Sequence, residues 1–113
     1  MPFLTLLEES QKRKERWRSR ALQEAKRLST LLSQHFSFER LYLFGSAMRE
    51  GGFTRHSDLD LAIQGLTRSH FLKAYALLIK ESDFPVDLKP WELLDEQTRQ
   101  RLKTEAMVIY EKR

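Results

Sequence analysis

The stretch 41-LYLFGSAMREGGFTRHSDLDLAI-63 decides the fold. Leu41, Tyr42, Leu43 and Phe44 form a short apolar run of strand character that ends at Gly45-Ser46. At a Gly-Ser turn, backbone N–H groups can approach a phosphate with no Cβ in the way. Eleven residues after Ser46 comes Ser57-Asp58-Leu59-Asp60-Leu61-Ala62-Ile63. Side chains alternate between faces along a strand, so this segment predicts Asp58 and Asp60 on one face and Leu59, Leu61 and Ile63 on the other. Two neighbouring carboxylates repel, and a bound cation is the usual remedy. The local expectation is a phosphate-binding turn beside a divalent-metal site. Each half is common by itself, and an Asp pair on a solvated strand face is ordinary; their order and spacing carry the specificity.

An apolar strand, Gly-Ser, about ten residues and then Asp-x-Asp resembles the nucleotidyltransferase superfamily that includes DNA polymerase beta. The short chain further resembles the minimal nucleotidyltransferases, many of them antitoxins paired with a HEPN-domain toxin. The motifs run from Leu41 to about Asp87. The resemblance implies a nucleotidyltransferase fold of α/β (α+β) class, a small mixed sheet packed against helices. It implies that Gly45, Ser46 and Arg49, the last standing three residues after the Ser, bind the nucleotide phosphates. Asp87 matches the third carboxylate, brought by a later strand. Asp58, Asp60 and Asp87 would then be both the catalytic residues and the ligands of one or two Mg²⁺ ions, with ATP as substrate. Glu50 stands between Arg49 and Gly51 where the family often has Gly, so the loop is slightly longer than the commonest form. The implied activity is transfer of AMP to a tyrosine of a cognate HEPN RNase toxin in a hetero-oligomeric complex. Other readings are a masking antitoxin without catalysis, transfer to another acceptor, and a nucleic-acid-binding protein.

The rest of the chain sets bounds. Its 113 residues suit one domain spanning 1–113, with a basic amphipathic helix over 1–36 and a catalytic core over 40–113. There is no cysteine, hence no disulfide and no thiolate metal site, which suits a cytoplasmic protein. The N-terminus has no basic region ahead of its apolar residues, so no secretory signal is expected, and no apolar run is long enough to cross a membrane. A net charge of +4 and a pI near 9.6 favour acidic partners such as nucleotides, nucleic acid or an acidic protein face.

From about Thr5 to Phe36 the sequence predicts one long helix, or two with a break near Ser10. Trp17, Ala21, Leu22, Ala25, Leu28, Leu31, Leu32 and Phe36 recur at helical spacing and should pack on a sheet. Lys12, Arg13, Lys14, Arg16, Arg18 and Arg20 make its first half basic. A solvated face explains this run more simply than a polyanion site, and direct nucleic-acid binding is not favoured. Ala47 to Glu50 can form one helical turn stopped by Gly51-Gly52. Thr67 to Asp83 predicts a helix with an apolar face of Phe71, Leu72, Tyr75, Ala76, Leu78 and Ile79. Val86 to Lys89, bracketed by Pro85 and Pro90, predicts a short strand at a sheet edge with Asp87 facing away from Val86 and Leu88. Trp91 to about Glu105 predicts a last helix, followed by an apolar tail over 107–110 that is a strand or a packed final turn.

Overall fold

The structure is a computed structural model that describes residues 2–113, with side chains described from Thr5 onward. Helix α1 runs unbroken over Pro2–His35, without the interruption near Ser10 that the sequence allowed. Strand β1 is Arg40–Phe44, β2 is Leu59–Gln64, helix α2 is Arg68–Glu81 and β3 is Val86–Pro90. Helix α3, Glu96–Glu105, and strand β4, Met107–Glu111, complete the chain. Short 3₁₀ turns cover Gly45–Met48 and Trp91–Leu93.

The four strands form one mixed sheet in the order β3-β2-β1-β4. β1 pairs antiparallel with both β2 and β4, whereas β2 and β3 are parallel and joined through α2. The proline-bracketed strand β3 lies at the edge, where Pro90 removes no ladder donor from a central position.

The two faces of the sheet differ in kind. Leu41, Leu43, Leu59, Leu61, Ile63 and Leu88 point to one face and are almost wholly buried against Ala21, Ala25, Leu28 and Leu32 of α1 and Ala74 and Leu78 of α2. The other face holds a smaller cluster of Tyr42, Ala62, Trp91 and Leu102. There the Tyr42 and Trp91 rings stack at 4.4 Å, and the Tyr42 hydroxyl donates to Gln64 Oε1 at 2.8 Å.

Three expectations are corrected. The buried face of α2 is Phe71, Ala74, Tyr75 and Leu78; Leu72, Ala76 and Ile79 are exposed. Both sets have helical spacing, and only the sheet decides which is covered. The segment 91–105 is not one helix, because Trp91 turns into the sheet and the chain restarts at Asp95, whose carboxylate accepts the Thr98 N–H at 2.7 Å as an N-cap. The turn after Ser46 also begins earlier and tighter than expected, as a 3₁₀ turn from Gly45 that stops at Arg49.

Candidate functional site

Gly45 ends β1 with φ +76°, a left-handed conformation that glycine adopts without strain. A second constraint acts at the same position. Phe44 pairs with Asp60 across β1 and β2, and a Cβ built on Gly45 would overlap the Asp60 carboxylate. The glycine is therefore required twice, by backbone angle and by the side chain beside it. The turn is held from behind by α1: the Arg18 guanidinium Nε donates to the Ala47 carbonyl at 2.9 Å. Arg18 thus belongs to the turn rather than to a free basic patch.

The loop from Arg49 to Asp58 is pinned by Phe53, wholly buried and edge-on to Phe84 at 5.4 Å. Its tip closes on itself, with the Thr54 N–H donating to Ser57 Oγ at 3.0 Å and the Ser57 N–H to the Thr54 carbonyl at 3.0 Å. The Leu59 N–H then donates to the Pro85 carbonyl at 2.8 Å, which starts β2 beside β3. Asp58 consequently lies one residue before the strand and is exposed, instead of sharing the ladder with Asp60.

Asp60 and Asp87 are brought together. They are partners in the parallel register of β2 and β3, so both carboxylates stand on the sheet face opposite the main core. Burial, followed by the negative charge of Asp87, holds the Asp60 carboxyl above the usual carboxylate range; Lys89 and Arg49 pull it back, and Asp58 adds to the repulsion. Lys89 projects from the same face of β3, and its ammonium Nζ donates to Asp87 Oδ2 at 2.6 Å. Among the described residues, no three carboxylate or imidazole groups stand close enough together to hold an ion as they are placed. Asp87 is engaged by Lys89, and Asp58 stands outside the strand.

The donor chemistry nevertheless suits a hard divalent cation. The groups are oxygen ligands, one of them is destabilised as an anion, a cationic side chain already compensates the pair, and the missing Cβ at Gly45 lets the Asp60 carboxylate sit against the turn. Beside the Gly-Ser turn, a cleft of about 610 Å³ is lined by Phe44, Gly45, Met48, Arg49, Arg101, Leu102 and Glu105. Arg49 lines this cleft, joined by Arg101 from α3. A larger, more apolar hollow of about 800 Å³ lies at the far ends of β2 and β3, lined by Leu66, Phe71, Leu72, Pro90 and Leu93 among others, away from the carboxylates.

Two polar side chains of this region were legible to different degrees. Lys89 follows Asp87 by two residues on a strand, so alternation alone puts it on the carboxylate face. Nothing in the sequence signals that Arg101 of α3 reaches the turn after β1.

The Gly-Ser turn thus packs on one carboxylate, and a second carboxylate stands in register on the next strand. The chain belongs to the family described as "Polymerase beta, Nucleotidyltransferase", whose model matches residues 26–113. It is a nucleotidyltransferase by family. Among solved structures it is similar to a toxin-antitoxin with AMP-PNP, with 24% identity, a TM-score of 0.64, and coverage of 80% of this chain and 74% of that one. It is also similar to a variant of the toxin-antitoxin MntA-HpeT, with 23% identity, a TM-score of 0.61, and 77% and 72% covered. A third similar structure, from Sulfolobus solfataricus and described as a nucleotidyltransferase, has 22% identity, a TM-score of 0.61, and 88% and 87% covered. These likenesses fix the fold. No curated protein matches the chain. Among the described residues, no helix is long and apolar enough to cross a membrane.

Proposed function

We propose that this protein is an antitoxin that transfers AMP from ATP to a tyrosine hydroxyl of a cognate HEPN-type RNase toxin and thereby silences it. The observation that carries the reading is the Asp60–Asp87 pair in register, with Gly45 packed on Asp60 so closely that no other residue fits. The similarity to a toxin-antitoxin holding AMP-PNP supports ATP as the substrate and a toxin as the partner.

In this reaction the acceptor oxygen forms a bond to the α-phosphorus, the bond to the bridging oxygen breaks, and pyrophosphate leaves. Asp58, Asp60 and Asp87 would hold one or two Mg²⁺ ions. When bound, such ions neutralise the triphosphate and acidify the acceptor hydroxyl. The N–H groups of the Gly45-Ser46 turn and the Arg49 guanidinium bind the β- and γ-phosphates, and Arg101 extends the positive rim of the cleft. Asp87 takes, or helps to take, the acceptor's proton.

The test is direct: the protein, its toxin, ATP and Mg²⁺ are incubated together, and the intact toxin is weighed by mass spectrometry. Addition of an adenylyl group by wild type, and none by the Asp58→Asn/Asp60→Asn double variant, is expected. An unmodified toxin sinks the transferase reading.

A second reading, neutralisation by masking, draws on the apolar hollow flanked by exposed Leu72 and Leu93, a surface separate from the carboxylates. Under masking, the double variant neutralises as well as wild type.

A further inference from the structure

On the outer face of β3, Asp87 and Lys89 stand two residues apart, and Lys89 lies beside Ala62 of β2, whose small side chain leaves its stem room. The ammonium sits 2.6 Å from Asp87 Oδ2 and also acts electrostatically on Asp60. Strands in a sheet lie roughly 4.8 Å apart, so the Asp60 and Asp87 carboxylates repel each other across the pair and a nearby cation relieves that repulsion. Lys89 supplies that cation from within the chain. Stability does not explain the pair. Its partners are 43% and 41% exposed, and an ion pair that open contributes little to folding. A lysine is also the cationic side chain best suited to leave, being a point charge on a flexible stem rather than a planar fork. It stands on the edge strand, with no further strand to confine it.

We propose that Lys89 is a built-in counter-ion that occupies Asp87 until a divalent cation displaces it, so that Lys89 sets the cation concentration at which the site loads. This rests on the carboxylates being the metal ligands of the proposed transferase. Displacement leaves the ammonium on the edge strand, across β2 from the Gly45 turn. Lys89 is thus a positioning residue whose first effect is on loading.

The experiment is a Mn²⁺ titration of the full chain, with free Mn²⁺ read by electron paramagnetic resonance, on wild type, Lys89→Met, Lys89→Arg and Asp60→Asn. Lys89→Met is expected to bind Mn²⁺ more tightly, by roughly three- to tenfold, because no ammonium has to be displaced from Asp87 and none repels the ion. Lys89→Arg, which keeps the charge and offers a planar fork that leaves Asp87 less readily, should bind Mn²⁺ no more tightly than wild type. Thermal melts without metal verify that each variant is folded. Binding that Asp60→Asn abolishes, with no gain in Lys89→Met, overturns the role of Lys89 and leaves the carboxylate site standing. No Mn²⁺ bound by wild type or by Lys89→Met overturns both.

Discussion

The two faces of the sheet carry the same strands and opposite chemistry. On the helix side, Leu41, Leu43, Leu59, Leu61 and Ile63 are sealed under α1 and α2. On the other side, Tyr42, Ala62, Trp91 and Leu102 close only part of the surface, and Asp60, Asp87 and Lys89 stand beside them. Each face also has a half-hidden carboxylate story of its own. Glu24 of α1, 6% exposed, accepts from Arg27 Nε at 2.6 Å and Nη2 at 2.9 Å and from the Asp83 N–H at 2.6 Å, tying α1 to the turn before β3. The Arg27 hydrogen bond holds the Glu24 carboxyl below its usual range against the cost of burial. Asp60 has burial and a second carboxylate acting together, and is pushed the other way. One carboxylate is held below its usual range by its partner, and the other is held above it by burial and a like charge.

That contrast can be broken by mutation. The largest effect is expected on the sealed face: Leu61→Ala should cost about 2–5 kcal/mol of stability in urea unfolding, because the packed helices cannot collapse into the cavity. A cost below about 1 kcal/mol would mean that the helix side is not the better-packed one. On the open face, Asp58→Asn and Asp60→Asn should each lower nucleotidyl transfer by roughly 10²-fold or more while the protein stays folded, measured with labelled ATP and the toxin. Gly45→Ala should damage both properties at once, costing about 2 kcal/mol or more from left-handed strain and the overlap with Asp60, and removing transfer. Normal activity in Gly45→Ala would break the link between the turn and the carboxylate.

Smaller effects sharpen the electrostatic half of the comparison. Glu24→Gln should destabilise the protein by about 1.5 kcal/mol at neutral pH. Since the folded pKa of Glu24 is depressed, its contribution is present above the unfolded value and is lost as pH falls through the folded one, so the two melting curves should converge in acid. Asp60→Asn should show the opposite sign. A raised folded pKa means that stability declines as pH rises from the unfolded value through the folded one, and the penalty persists above it. Without metal at neutral pH the variant should therefore gain slightly, by under about 1 kcal/mol, and the gain should vanish in acid. A loss of stability at neutral pH would show that Asp60 is satisfied after all.

Much of this molecule is written locally. Gly45-Ser46 after an apolar run, the alternation of Asp60 with Leu59 and Leu61, the proline-bracketed strand around Asp87 and the uninterrupted helical spacing of α1 are short-range patterns. Each dictates a backbone state or a face without reference to the rest of the chain. Those patterns determined most of the element types and the mixed α/β class, and they put Gly45, Asp58 and Asp60 forward as candidates for the site. Tertiary structure decided what depends on distant partners. It selected Phe71, Ala74, Tyr75 and Leu78 over Leu72, Ala76 and Ile79, since an amphipathic helix can offer two overlapping stripes and only the sheet determines which is covered. It moved Asp58 off the strand, because the Leu59 N–H has its partner at Pro85 and the ladder starts there. It drew Arg18 to the Ala47 carbonyl, Glu24 to Asp83 and Arg101 to the Gly45 cleft, across 29, 59 and more than 50 positions of chain. Such pairings leave no mark in local sequence, because a side chain's partner is fixed by where the backbone passes and not by which residues precede it.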